Sequence, residues 1–303
     1  LAGKGNRCLL LLAHEIRTNR EKHIRGCKFP AFVDILFSFC FYWEAVMAVR
    51  AMIQVVRVAT LALGLGLSSL AAAEEASGEE RRTVPDGGTT QYVLAVSWQP
   101  GFCETRPTRK ECVDQTSDRF DATHFSLHGL WPLKKSYCGV EAELKAQDRK
   151  GDWLDLPKLV MADETAARLL IAMPGVKSGL DRHQWLRSGT CQTGKAEDYF
   201  RLQLRLLDEL KASAVRALFA DRIGSEIGEQ QIKAAFDRSF GTGAGDRVRM
   251  RCQTVGGRSV ITGMTIGLSG DLSGKTDLAG LMKAAGPTEF KCAKGIADAA
   301  GRG

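Results

Sequence analysis

Six cysteines spread over residues 103–292 constrain this sequence more than any other feature: Cys103, Cys112, Cys138, Cys191, Cys252 and Cys292. The chain has nine cysteines in 303 residues, and Cys8, Cys27 and Cys40 precede a segment that reads as an export signal. That segment spans residues 47–73. Arg50 and Arg57 supply a positive start, residues 58–70 are apolar and uncharged, and Ala71, Ala72 and Ala73 form a small-residue cleavage site followed by Glu74 and Glu75. This is the layout of a secretory signal peptide. A transmembrane anchor competes less well, because the apolar stretch is shorter than the roughly 20 residues of a span and is rich in Gly and Ser. Met47 or Met52 is read as the natural start, and residues 1–46 as upstream translation.

Removing residues 1–73 changes the arithmetic. The whole chain has 42 Lys+Arg against 35 Asp+Glu, a net charge of +7. Nine of the basic and four of the acidic residues lie in 1–73, leaving 33 against 31. A nearly neutral chain gives no nucleic-acid argument from net charge alone. The six remaining cysteines are an even number in an exported chain, which reads as three disulfides. Fifteen pairings are open to six cysteines, and the residues alone do not choose. Zinc is the weaker reading, since no C-x-x-C pair is present. Apolar residues at 44% and charged residues at 25% exclude a disordered or collagen-like chain.

Residues 74–88 are charged and Gly-rich, a flexible lead-in to a domain over 89–303. Residues 91–98 read as a buried strand and 122–128 as a second, ended by Gly129 and Pro132. Between them, 101–119 reads as a polar loop. Residues 134–158 form an irregular stretch longer than an ordinary connection, hence a functional candidate. Helices are predicted at 164–172, 180–187, 196–220 (the longest), 229–240 and 277–285. Residues 247–254 and 258–268 alternate as a hairpin turning at Gly256 and Gly257. There is no internal repeat. Interspersed strands and helices point to one α+β domain, with a central antiparallel sheet flanked by helices and stapled by disulfides.

After residue 73 only three histidines remain, His124, His128 and His183. His128 lies in the run FSLHGLWP (125–132) and His183 in HQWLRSGTC (183–191). These segments resemble the two active-site motifs of the ribonuclease T2 family of exported endoribonucleases. The first is similar to the family's FTIHGLWP almost throughout. The second is similar in part to H-E-W-x-K-H-G-T-C. The SWQPGFC run at 97–103 is similar to the opening strand and cysteine of bacterial members, and the likeness extends over 91–292.

The resemblance implies cleavage of single-stranded RNA without metal or cofactor, by a monomer located in the periplasm or outside the cell. The ribose 2′-OH attacks the adjacent phosphorus, the 5′-oxygen leaves, and a 2′,3′-cyclic phosphate forms. Histidines suit both proton transfers because they titrate near working pH. By the same resemblance His128 is the acid to the leaving group, Trp131 stacks on a base, and His183 holds phosphate. Arg187 stands where the family has lysine and keeps the cation. Two positions depart from the pattern: Gln184 replaces the family's glutamate, and Ser188 its second catalytic histidine. Both lose a group that exchanges protons, which implies weakened cleavage or an RNA-binding module that does not cut. The family's acidic residue after Trp-Pro is Leu133 here, which bears on base preference.

Of the other histidines, His183 is the better substitute base, near Arg187 on one helix. His124 shares a strand face with His128 at about 13 Å and reads as structural. Trp98, Trp153 and Trp185 read as core. Arg247, Arg249 and Arg251 alternate as one solvated strand face, with phosphate binding as the less favoured role. Asp152 and Asp155 read as ordinary loop carboxylates. The resemblance also implies the bridges Cys103–Cys112, Cys138–Cys191 and Cys252–Cys292.

Overall fold

Alternating apolar residues lay down the sheet. In the computed structural model, which describes residues 88–301, β1 (Tyr92–Ser97) buries Leu94 and Val96 in the core. It lies between two antiparallel neighbours, β2 (Ser126–Pro132) and β5 (Arg258–Leu268). β5 turns back on β4 (Val248–Val255) through Gly256 and Gly257, both at positive φ, as a two-residue hairpin turn requires. β6 (Lys294–Ile296) joins β5 at Val260 by one parallel bridge and carries β3 (Glu226–Gly228) antiparallel. The sheet is therefore antiparallel except at that bridge. β3 and β6, three residues each, carry too little pattern to be legible in sequence. The expected upstream segment (1–46), signal peptide (47–73) and lead-in up to residue 87 lie outside the described residues.

Helices cover the core side. α6 (Ala196–Lys211) buries Tyr199, Leu202, Leu206 and Leu210 along one stripe and packs on β2 and on α4 (Asp163–Ala172). The helix expected over 196–220 breaks in two. Ser213 Oγ accepts hydrogen bonds from the N–H groups of Val215 and Arg216 and so caps a new helix, α7 (Ala214–Asp221). α5 (Leu180–Arg187) and α8 (Glu229–Phe240) keep their predicted bounds. α9 (Leu278–Lys283) is shorter than expected, with Asp277 as its cap. Trp98, Phe125 and Phe219 form an aromatic centre with ring centroids 4.7–5.5 Å apart.

Four further expectations are corrected. The loop at 101–119 holds α1 (Gln99–Thr105), started by Pro100 in its first turn, and α2 (Lys110–Val113). The second strand runs 126–132 rather than 122–128, with Gly129 inside it, and Phe120–Ala122 is a 3-10 turn. Pro132 is tolerated because β2 is an edge strand. The irregular stretch holds α3 (Ala142–Lys150), whose sequence shows no apolar stripe because Asp148 is its one buried residue. Arg247 leaves the arginine face: it is buried and donates to the carbonyls of Gly243 and Ala285.

The three disulfides are Cys103–Cys112, Cys138–Cys191 and Cys252–Cys292, the implied pairing. No helix among the described residues is long and apolar enough to cross a membrane.

Candidate active site

A register shift sets His128 apart. Ala95 pairs with Gly129 and Val96 with Leu127, so His128 opposes nothing on β1. Such a bulge re-aims a side chain. The edge strand's exposed backbone is satisfied at Leu130: Tyr199 OH donates to its carbonyl at 2.8 Å, and Gln192 Nε2 does so at 2.8 Å. On the other side of β1 a second shift, between Arg251 and Cys252, falls further along, just past Ser97, because Arg251 pairs with Gly263 and Gly263 with Ser97. Glycine is required there, since a Cβ on residue 263 would lie 2.3 Å from the Val96 carbonyl oxygen.

His128 lines two cavities. One, of about 530 Å³, is shared with Trp131, Lys134, Lys135, His183, Gln184, Arg187 and Ser188, so both histidine motifs meet in it. The other, of about 590 Å³, carries Phe102, Arg106, Arg249, Arg251 and Lys291. Arg251 forms no ion pair among the described residues. Burial, then the charges of Arg251 and His183, push the His128 imidazole down to about 4. It meets Trp131 edge-on, with centroids 5.8 Å apart.

The second motif arrives on α5. Gln184 is buried, and its Oε1 accepts the Trp131 indole N–H at 2.7 Å. Gly129 makes the room, since a Cβ there would fall 2.1 Å from that oxygen. Ser188 terminates α5, where its backbone N–H donates to the Gln184 carbonyl at 3.0 Å. Arg187 is exposed at the cavity.

His183 is held more firmly than the sequence suggested. Its Nδ1 sits 2.8 and 2.9 Å from the two oxygens of the Asp148 carboxylate. Trp153, expected in the core, stacks on the imidazole at 4.2 Å and 16°. Tyr137 OH donates to Asp148 Oδ2 at 2.6 Å, and Trp153 Nε1 donates to the Asp148 carbonyl at 3.1 Å. Burial lowers the His183 pKa, opposed by its bond to Asp148. Asp148 and Tyr137 escaped the sequence reading; the usable signal was the length of 134–158. Cys138–Cys191 ties the loop after β2 to the segment after α5.

The other residues fall away from the cleft. His124 precedes β2, stacks on Phe120 at 4.5 Å and bonds to the Phe120 carbonyl through Nδ1. It therefore does not share a strand face with His128. Trp98 is core as expected, and Trp185 is partly buried beside Tyr199. Among the described residues no three His, Cys, Asp or Glu side chains gather in a way that could hold a metal ion.

Fold and cleft together define a disulfide-stapled α+β protein in which two histidine motifs face one cavity. The sequence profile of the ribonuclease T2 family matches residues 89–275, and the chain belongs to that family. It is 30% identical over 208 residues to Ribonuclease I of Escherichia coli, covering 61% of this chain and 77% of that protein. It is 32% identical over 127 residues to a probable ribonuclease of Haemophilus influenzae, covering 40% of this chain and 43% of that one. Among solved structures, the S3-RNase of Japanese pear superposes with a TM-score of 0.45 at 16% identity, covering 68% of this chain and 98% of that one.

Proposed function

We propose that the chain is an exported, monomeric endoribonuclease that cleaves single-stranded RNA without metal, by 2′-OH transphosphorylation to a 2′,3′-cyclic phosphate. The observation that carries this reading is His128, seated where two basic cavities meet. A phosphodiester has a nucleoside on each side of the scissile phosphorus, and a proton donor at the junction reaches the bond between them. His128 protonates the departing 5′-oxygen. Trp131 stacks on a base and is oriented by Gln184. Arg187 faces the phosphate, where a planar fork offsets charge on the pentacovalent phosphorus. His183 lies alongside as the further imidazole.

Ser188 cannot serve as a base unless something activates it, and Gln184 cannot exchange a proton. The reading is therefore of a weakened enzyme, in which another group must accept the 2′-OH proton. The same two residues favour the second reading, a module that binds RNA and leaves it intact. Export agrees with three disulfides, which persist in oxidising compartments such as the periplasm or the medium.

The test is incubation of the purified chain with single-stranded RNA in EDTA. Cleavage leaving 2′,3′-cyclic phosphate ends is expected, with no cut where the nucleotide is 2′-deoxy. RNA binding without cleavage at any pH would instead establish the second reading.

The pH dependence has a definite sign. The acid must hold its proton, so the rate falls as pH rises. The base must lack its proton, so the rate falls again as pH drops. Burial depresses both His128 and His183. The bell in kcat/KM is thus expected to peak on the acid side of about 6.5, the ordinary histidine value. A peak above pH 7.5 would contradict this arrangement.

A further inference from the structure

Resting on the ribonuclease reading, we propose that Asp148 is a positioning residue that makes His183 Nε2 the acceptor of the 2′-OH proton, the role Ser188 cannot fill. A carboxylate only accepts hydrogen bonds. Bonding to both its oxygens at 2.8 and 2.9 Å therefore fixes the proton of a neutral His183 on Nδ1. The lone pair is left on Nε2, which has no hydrogen-bond partner among the described residues.

The frame around the pair is rigid. The Asp148 side chain is fully buried and held by Tyr137 OH. Trp153 clamps one face of the imidazole and anchors its own indole to the Asp148 backbone. A histidine kept only to attract phosphate would gain from the carboxylate as an imidazolium, whereas the neutral tautomer fixed by Asp148 leaves a lone pair on Nε2 rather than a proton. A base gains twice, through orientation and through stabilisation of the imidazolium it becomes. The charged and titratable groups around His183 are Asp148 from α3, Tyr137 from the loop after β2, Arg187 on its own helix and His128 across the cavity.

The step balances. Nε2 takes the proton from O2′, and the O2′–P bond forms. The P–O5′ bond breaks, and its electron pair leaves on O5′, which takes a proton from His128. Solvent then restores both imidazoles.

The experiment compares cleavage by the unmodified chain with Asp148→Asn and His183→Ala. Either variant is expected to lower kcat by about 10²–10⁴-fold, the usual contribution of one acid–base group. KM should stay within about threefold, since Arg187 is untouched. For His183→Ala, added imidazole should restore part of the rate. For Asp148→Asn, the optimum of the pH profile should move to lower pH, because the carboxylate raises the proton affinity of His183. A purely structural role moves neither readout. Should Asp148→Asn fail to fold, the imidazole rescue decides. An unmodified chain that cuts while both variants keep kcat, or raise KM alone, overturns this inference and leaves the ribonuclease reading standing. An unmodified chain that never cuts overturns both.

Discussion

Replacing His128 with alanine is expected to cut RNA cleavage by at least about 10²–10⁴-fold, with the fold intact. No other histidine among the described residues lines both cavities, so nothing else reaches the leaving oxygen from that junction. The fold should survive because His128 sits on a bulge and its side chain makes no hydrogen bond among the described residues, only an edge-on contact with Trp131. The variant should also lose less stability in acid. Native His128 titrates at about 4, below its unfolded value, so the unfolded chain binds more protons as pH falls from about 6.5 to 4. Stability drains over that window, and His128→Ala removes that share of the loss. Cleavage assays beside thermal melts at pH 4 and 7 check both halves. Full activity in His128→Ala would refute the proposed chemistry.

The second large effect is expected from Cys138→Ser combined with Cys191→Ser. The bridge closes a 53-residue separation, worth about 4 kcal/mol by the loop-entropy relation. The shorter Cys103–Cys112 bridge closes 9 residues, worth roughly 2.5 kcal/mol by the same relation. The larger loss corresponds to a Tm drop of about 8–16 °C for a domain of this size. Activity should fall further than stability alone requires. Tyr137 adjoins Cys138 and bonds through its N–H to the Arg187 carbonyl at 2.9 Å, while its hydroxyl holds Asp148. Cutting the bridge loosens the framing of the second histidine and the placement of Arg187 together. Removing Cys103–Cys112 should lower Tm and spare turnover in the folded fraction. Equal loss of turnover from both double variants would contradict that division.

Much of this was legible in the residues because it is local. The bounds of α5 and α8 follow from spacing and from the breaker Gly241, and the β4–β5 hairpin from its Gly-Gly turn. The meeting of the two histidine motifs in one cavity follows the family likeness. What stayed hidden depends on distant pairs. Asp148 lies 35 residues from His183, on a helix with no apolar stripe to announce it. Gln184 reads as a lost carboxylate until its bond to Trp131 shows what it still does. Arg247 keeps the alternation of Arg249 and Arg251, yet tertiary carbonyls draw it inward.

The extra residue in β2 also acts as a reading frame. Phe125 and Leu127 enter the core two apart, whereas the next core residue, Leu130, follows after three. That odd step is what lets Trp131 face the cleft while Leu130 stays buried. Regular alternation at the present length would make Gly129 the next inward residue and exchange the two, sending indole inward and leucine into water. FSLHGLWP is thus a length specification as much as a set of side chains. Substitutions within it change chemistry, whereas losing one residue between Leu127 and Leu130 removes the bulge that sets His128 apart.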